Sequence, residues 1–156
     1  VLLAALGRYL TEGGDVFAHA AALAAELTPP RDTHGAVVAR RHQVGGARGE
    51  ALAGFPTARK AAELLQTHDP LTVLLWLIAH TEDTNLYHRG GAEGAAFVKE
   101  QAAAILAAPP EQRAALTQAL DDALIECRLS PGGSADLLAL ALLLNSSSTV
   151  FPSFDR

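Results

Sequence analysis

The run LTVLLWLIA, residues 71–79, constrains the fold more than any other part of the sequence. Pro70 precedes it directly, and proline suits the first turn of a helix. A helix over this run is apolar on all sides, so other segments of the chain must surround it. The run is too short to cross a bilayer, as is the second apolar run at 137–144. We therefore expect a buried central helix with the rest of the chain packed around it.

The remaining sequence is also patterned for helices. Alanine and leucine dominate, aromatic residues make up only 5% of the chain, and the sequence shows no strand pattern. Gly and Pro residues divide it into predicted helices at about 1–11, 16–27, 32–43, 57–68, 70–88, 92–107, 110–127 and 131–145. Between them we expect a loop with a short helical turn at 44–56, and an irregular tail after 145. The prediction is an all-α fold, a single helical bundle domain of about eight helices over residues 1–156.

Charge and cysteine content exclude several classes of protein. The formal net charge of −5 argues against a nucleic-acid partner and against binding to an anionic membrane. The single Cys127 excludes an internal disulfide and a cysteine-rich zinc site. The single cysteine fits a reducing compartment, so we expect a cytoplasmic location, and no signal peptide is visible. The chain starts at Val1 within a helical pattern and contains no methionine, which indicates a piece of a longer protein.

Four Gly-Gly pairs each precede a predicted helix or helical turn, at residues 13–14, 45–46, 90–91 and 132–133. Three of them have an arginine nearby: Arg48, Arg89 or Arg128. Glycines at a helix start expose backbone N–H groups, and the helix dipole adds partial positive charge there. An adjacent arginine adds donors that suit phosphate. The pattern is typical of phosphate binding, but glycine pairs also simply interrupt helices, and both interpretations stay open.

Two aspartates sit in unusual surroundings. Asp83, in EDTNLYHRGG at 82–91, is predicted near the end of the central helix, where a carboxylate opposes the helix dipole. Helical spacing puts it on one face with His80 and Tyr87. Asp136 falls within the apolar run that follows SPGG. Because a lone buried acid is costly unless it is paired or metal-bound, these two carboxylates could share one Mg²⁺ with water and phosphate. The alternative for Asp136 is a partly exposed capping acid.

A third segment, GARGEALAGFPTARK at 46–60, carries Arg48, Glu50 and Arg59. Glycines around the first two allow a ligand to approach the backbone, although a solvated loop with a surface ion pair explains them equally well. The six histidines show no metal-site spacing. His34 and His88 are of interest because each neighbours a glycine or an arginine.

Three segments, GGARGEALAGFPTARKAA, DTNLYHRGG and LSPGGSADLLALALLL, together resemble the triphosphoribosyl-dephospho-CoA synthase family, and THG at 33–35 extends the match. The resemblance implies an all-helical transferase that joins ATP to 3′-dephospho-CoA. The acceptor ribose 2′-hydroxyl attacks C1 of the ATP ribose, adenine leaves, and the triphosphate stays on the transferred sugar. The product is the prosthetic-group precursor for the acyl carrier subunit of citrate lyase or malonate decarboxylase, an indirect partner. The match covers the C-terminal half of the family's domain.

The resemblance also implies roles for individual residues. Asp83 and Asp136 hold Mg²⁺ on the triphosphate, Glu50 is the base, and His88 or His34 is the acid, these last two roles being assigned by chemical type. The predicted nucleotide-binding residues are Arg48, Arg59, Arg89, Gly90, Gly91, Gly132, Gly133 and Ser134.

Two other functions stay open from the sequence. One is a catalytically inactive module that binds a nucleotide or CoA. The other is a helical interaction domain, which predicts that Asp83, Arg89 and Asp136 are scattered in space. A partial domain exposes apolar surface, so we also expect that it can pair with itself as a homo-oligomer.

Overall fold

A computed structural model describes residues 1–28 and 33–147. Over these residues the chain forms nine helices and no strand, which confirms the predicted all-α fold; the predicted irregular tail from 148 onward lies outside the described residues. The helices are α1 (Leu2–Glu12), α2 (Val16–Glu26), α3 (His34–His42), α4 (Gly46–Leu52), α5 (Pro56–Leu64), α6 (Pro70–His80), α7 (Thr84–Ala107), α8 (Pro110–Glu126) and α9 (Gly132–Ser147). None of the helices in the described ranges is long and apolar enough to span a membrane.

The apolar run forms the central helix, α6, as predicted. Asp69 caps it by accepting hydrogen bonds from the backbone N–H groups of Leu71 and Thr72 at 3.0 and 3.1 Å. One side of α6, with Val73 and Leu77, packs against α5 and α9. The other side, with Leu75 and Ile78, packs against α7. The helix is therefore enclosed on two sides by its neighbours, and burial of its leucine and isoleucine side chains stabilises the core.

The prediction that this helix continues to residue 88 is wrong. It ends at His80, and both Thr81 and Asp83 adopt extended backbone conformations. Asp83 is the N-cap of the next helix and accepts a hydrogen bond from the Asn85 N–H at 2.9 Å. The expectation that this carboxylate opposes a helix dipole is wrong for the same reason, since an acid at the N-terminus of α7 is favoured by the dipole. His80 and Tyr87 consequently lie on different helices, so these two residues and Asp83 do not share one helical face.

Helix α7 itself consists of two helical segments that meet at a kink. Gly91 has φ 64° and ψ −164°, a conformation that a glycine adopts readily, and the helix resumes at Ala92. The predicted break at Gly90–Gly91 is therefore present as a kink within one longer element. A Cβ on Gly90 would lie 2.5 Å from the Leu129 side chain, so glycine lets the connection between α8 and α9 approach α7 closely.

The N-terminal helices α1 and α2 pack against each other around Ala5, Val16 and Phe17. Where the sequence predicted a short helical turn, the structure has a separate helix, α4. It packs against α2, and its start lies close to α7, where a Cβ on Gly46 would meet the Thr84 methyl group at 2.6 Å. This close approach brings α4 to the junction of α6 and α7.

Candidate functional site

A pocket of about 520 Å³ lies where the starts of α4, α7 and α9 meet. Four carboxylates line it: Glu50, Glu82, Asp83 and Asp136. Of the described residues that line it, none is a lysine or an arginine. We call it the acidic pocket. Its negative charge suits a cation or a ligand that carries one.

Asp83 caps two helices at once. Its Oδ1 accepts from the Asn85 N–H in α7, and its Oδ2 accepts from the N–H of Ser134 in α9 at 2.8 Å and from the Ser134 hydroxyl at 3.1 Å. Asp83 is 5% exposed and Ser134 is fully buried. Because the positive ends of two helix dipoles converge on this carboxylate, it can be buried as an anion without an ion pair from any described residue.

The glycine pair 132–133 leaves room for this arrangement. A Cβ on Gly133 would lie 3.1–3.2 Å from the carboxylate atoms of Asp83, and one on Gly132 would lie 2.5 Å from the Asn85 amide nitrogen. The pair lets the first turn of α9 approach the first turn of α7. Ser134, predicted to bind a ligand, already gives its N–H and hydroxyl to Asp83, and its oxygen also lies 3.0 Å from that of Thr81.

Asp136 lies one helical turn after Gly133 and lines the same pocket as Asp83. Gly133 lies against the Asp83 carboxylate, and residues three apart on a helix have Cβ positions roughly 5–6 Å apart. The Asp136 carboxylate therefore faces the same space as that of Asp83. Asp136 is exposed, and among the described residues its side chain has no hydrogen bond or ion pair. The structure thus brings together the two predicted metal ligands, one anchored in the fold and one unengaged.

Glu50, the predicted base, projects from α4 into the acidic pocket. Its two carboxylate oxygens accept hydrogen bonds from the Thr57 hydroxyl at 2.5 Å and the Thr57 N–H at 3.2 Å. Thr57 lies in the first turn of α5, so Glu50 also stabilises a helix N-terminus. Its orientation is therefore fixed by the fold.

Glu82 belongs to a second polar cluster on the rim of this pocket. It accepts hydrogen bonds from the Tyr87 hydroxyl and from Lys99 Nζ. Partial burial of Glu82 favours its neutral form, but the hydrogen bonds from Lys99 and Tyr87 outweigh this and lower its pKa. The hydrogen bond to Glu82 in turn raises the pKa of Tyr87 to about 12, so the phenol stays a neutral donor.

The three predicted phosphate-binding arginines do not converge on the acidic pocket. Arg48 donates to the Leu27 carbonyl oxygen at 2.8 Å and lines an adjoining, mainly apolar pocket of about 580 Å³. Arg59 lies over the Phe17 ring, 4.6 Å from its centroid. Arg89 lies 3.4 Å from the Arg128 carbonyl oxygen. Their helices direct them to different neighbours, which spacing along the chain does not reveal.

The predicted acid His88 lines a different pocket, of about 420 Å³, together with Gly90 and Gly91. Arg41 and His42, at the end of α3, also line this pocket and were not predicted to bind a ligand. The only signal in the sequence was the run Arg40-Arg41-His42, which is ordinary for the last turn of a helix. His34 opens α3 behind its N-cap Thr33, but its side chain lies outside the described part of the structure.

Across residues 1–28 and 33–147, no three His, Cys, Asp or Glu side chains form a group that could hold a metal ion. A metal at Asp83 and Asp136 would therefore depend on the substrate and water for its other ligands.

Comparison with known proteins gives a consistent match. The family model of ATP:dephospho-CoA triphosphoribosyl transferase matches residues 4–152. The chain is 46% identical over 114 residues to 2-(5''-triphosphoribosyl)-3'-dephosphocoenzyme-A synthase of Pectobacterium atrosepticum, covering 67% of this chain and 37% of that protein. It is 41% identical over 125 residues to the probable enzyme of the same name from Albidiferax ferrireducens, covering 72% and 41%.

The chain thus matches about two-fifths of the length of these curated relatives. No solved structure matches it significantly. The family match extends over nearly the whole chain and includes all three motifs that line the acidic pocket. The chain therefore belongs to the ATP:dephospho-CoA triphosphoribosyl transferase family.

Proposed function

We propose that this chain forms part of an enzyme that transfers a triphosphoribosyl group from ATP to 3′-dephospho-CoA and releases adenine. The observation that carries the proposal is the acidic pocket. Glu50, Asp83 and Asp136 come from three separate sequence motifs, and each lines this one pocket. An interaction domain has no need for such convergence, and the family match supplies the chemistry.

The acidic pocket requires a cation before it can accept a triphosphate. Glu82 is paired with Lys99, but Glu50, Asp83 and Asp136 have no cationic partner among the described residues. A bare triphosphate would be repelled by these three carboxylates. We propose that Mg²⁺ neutralises this charge when it is bound with the triphosphate.

The two aspartates fit a magnesium ion. An ionised carboxylate offers about four acceptor positions, and Asp83 uses three of them for Asn85 and Ser134. One position remains on Asp83, and Asp136 is unengaged. Carboxylate oxygens are the ligands that Mg²⁺ prefers, and the ion commonly binds through one or two of them together with substrate phosphates.

Glu50 is proposed as the base. The acceptor 2′-hydroxyl loses its proton to the Glu50 carboxylate as its oxygen bonds to C1 of the ATP ribose, and the bond from C1 to adenine breaks. The hydrogen bonds from Thr57 hold the carboxylate in place without supplying a cation to compete for it. An acid must protonate the departing adenine. His88 or His34 is proposed for this by chemical type alone, since His88 lines the neighbouring pocket and not the acidic pocket. Positive charge that develops on the ribose in an oxocarbenium-like state is stabilised by the surrounding carboxylates.

The product, partners and location are proposed from the family resemblance and the sequence. We propose that the product is the prosthetic-group precursor of citrate lyase or malonate decarboxylase, with the acyl carrier subunit as an indirect partner. We also propose that the location is cytoplasmic and that the chain can self-associate. Because the chain spans about two-fifths of its relatives' length, a second candidate function is a module that binds nucleotide but does not release adenine.

Adenine release tests the proposal directly. The purified chain is incubated with ATP, Mg²⁺ and 3′-dephospho-CoA, and free adenine is followed by chromatography. We expect adenine only when the acceptor is present, and at least a hundredfold less from Asp136→Asn. Asp121→Asn, an equal charge change at an exposed position on α8, is the matched control and should behave like the parent chain.

Two other outcomes are informative. Mg²⁺-dependent ATP binding without adenine release would support the binding module instead. Absence of both binding and release, in a chain shown to be folded by circular dichroism, would exclude both functions for this chain.

A further inference from the structure

The second pocket, formed by the end of α3 and the kink of α7, has the opposite character to the acidic pocket. Arg41 and His42 come from α3, and Tyr87 and His88 come from the first segment of α7. Of the described residues that line it, Glu93 is the single carboxylate. We call it the basic pocket. It measures about 420 Å³, which is enough for a phosphoanhydride group but small for a whole dinucleotide.

One wall of the basic pocket is fixed in place. The His42 ring lies 4.9 Å from the Tyr87 ring, centroid to centroid, at an interplanar angle of 42°. Tyr87 is held by its hydrogen bond to Glu82, which Lys99 holds from the other side. The cluster on the rim of the acidic pocket therefore also orients a histidine of the basic pocket, and such preorganisation lowers the entropic cost of binding.

The other wall offers unengaged positive charge. Arg41 is exposed and makes no hydrogen bond or ion pair with any described residue. The second segment of α7 starts at Ala92, so the positive end of its dipole lies at the pocket. The Glu93 carboxylate, in the first turn of that segment, offsets part of the positive potential of the dipole. The guanidinium of Arg41 supplies the planar pair of donors that suits a phosphate group.

The two pockets thus select differently charged ligands. The acidic pocket requires a cation on its ligand, whereas the basic pocket presents the exposed guanidinium of Arg41 against a single carboxylate, Glu93. Both border the same stretch between α3 and α4, because Gly45 and Gly46 line the first and Arg41 and His42 line the second.

We propose that the basic pocket binds the diphosphate of the acceptor nucleotide directly, without a metal ion, with Arg41 as its main contact. The inference rests on the proposed function, because 3′-dephospho-CoA carries a diphosphate between its adenosine and its pantetheine arm. The donor's triphosphate is the other source of the same chemistry, and it is assigned to the acidic pocket. Arg41 and His42 thereby become specificity residues for the acceptor.

Isothermal titration calorimetry in EDTA tests this assignment. The probes are 3′-dephospho-CoA and adenosine, which lacks the diphosphate. We expect 3′-dephospho-CoA to bind the parent chain without Mg²⁺, and Arg41→Gln to weaken that binding at least tenfold without changing the response to adenosine. Arg40→Gln removes the neighbouring arginine of the same helix, which does not line the pocket, and should change the affinity less than twofold.

A second titration, with ATP and Mg²⁺, separates this inference from the proposed function. Arg41→Gln should keep its affinity for Mg²⁺-ATP, and Asp136→Asn should lose it. Equal weakening by Arg41→Gln and Arg40→Gln, or weakening of Mg²⁺-ATP alone, would overturn the assignment even if adenine is released. Conversely, diphosphate binding through Arg41 in a chain that releases no adenine would uphold this site while the catalytic proposal fails.

Discussion

The acidic and basic pockets border the same connection between α3 and α4. Two carboxylates of the acidic pocket are hydrogen-bonded into the fold, whereas the arginine of the basic pocket is not. In the acidic pocket, Asp83 and Glu50 hold helix N-termini through hydrogen bonds to Ser134 and Thr57. In the basic pocket, Arg41 is exposed and unengaged by any described residue. Changes to the anchored carboxylates should therefore cost stability as well as binding, whereas changes to the basic pocket should cost binding alone.

The largest effect on stability is expected for Asp83→Ala. The substitution removes the cap of α7 and leaves the buried N–H of Ser134 without its acceptor, while the Ser134 hydroxyl keeps only the Thr81 oxygen at 3.0 Å. Loss of an N-cap costs about 1 kcal/mol, and each buried unsatisfied donor costs about 1–3 kcal/mol. We expect the free energy of unfolding in urea to fall by roughly 3 kcal/mol, with an unchanged m-value.

Asp83→Asn is the matched control, because it keeps the shape and one acceptor oxygen. Its loss should be about half as large. A loss below about 1 kcal/mol for Asp83→Ala would mean that this carboxylate does not join α7 to α9, and the contrast between the two pockets would disappear.

Gly133→Ala tests the same junction by crowding it. The added methyl group would lie 3.1–3.2 Å from the Asp83 carboxylate, which is fixed by its three hydrogen bonds and cannot move away freely. Overpacking of this kind costs about 1–3 kcal/mol, more than the gain of about 1 kcal/mol in helix propensity. We expect a net loss of about 1 kcal/mol in the free energy of unfolding.

Gly7→Ala makes the identical change in α1, where a Cβ has no atom within 4 Å outside its own helix. It should stabilise the chain by about 0.5–1 kcal/mol through helix propensity. If both variants stabilise the chain, α9 can shift away from α7, and the junction is looser than the two caps indicate.

Local patterns were sufficient for most of the helices but not for the junction that forms the acidic pocket. No glycine or proline stands between the apolar run at 71–79 and Gly90, so the sequence predicted one continuous helix over 70–88. The break at Thr81 and Asp83 is stabilised by Ser134, a residue about fifty positions away in the chain. Such a contact has no signature in local periodicity, and the role of Asp83 as a cap was therefore missed.

The charged residues show the same limit. Sequence motifs singled out Asp83 and Asp136, and the structure places both in one pocket, while their role as metal ligands stays a prediction. The arginines were assigned by residue type, but the direction of an arginine depends on what its helix packs against. Arg59 lies over the Phe17 ring and not at a pocket. Arg41 lines a pocket, although a basic residue in the last turn of a helix is common and predicted no binding role.

The smallest expected effect concerns Glu82, which is anchored by side chains alone and connects the two pockets. Hydrogen bonds from Lys99 and Tyr87 outweigh partial burial and hold its pKa below the ordinary value of 4.5. A carboxyl group whose pKa is depressed on folding contributes stability above its unfolded pKa, and that contribution is lost as the pH falls through the folded pKa. Because the Glu82 side chain is 43% exposed, screening limits the contribution to less than about 1 kcal/mol.

We therefore expect Glu82→Gln to lower the free energy of unfolding slightly at pH 7 and to equal the parent chain near pH 3. Its control is Glu100→Gln, an exposed acid in the interior of α7 that lies outside both pockets and away from a helix end. A second readout distinguishes orientation from charge. In Glu82→Ala, which removes this acceptor, the pKa of Tyr87 should fall from about 12, as followed by its ultraviolet titration, and His42 should lose its fixed neighbour. Diphosphate binding in EDTA should then weaken a few-fold, while a variant with unchanged diphosphate affinity would show that the two pockets act independently.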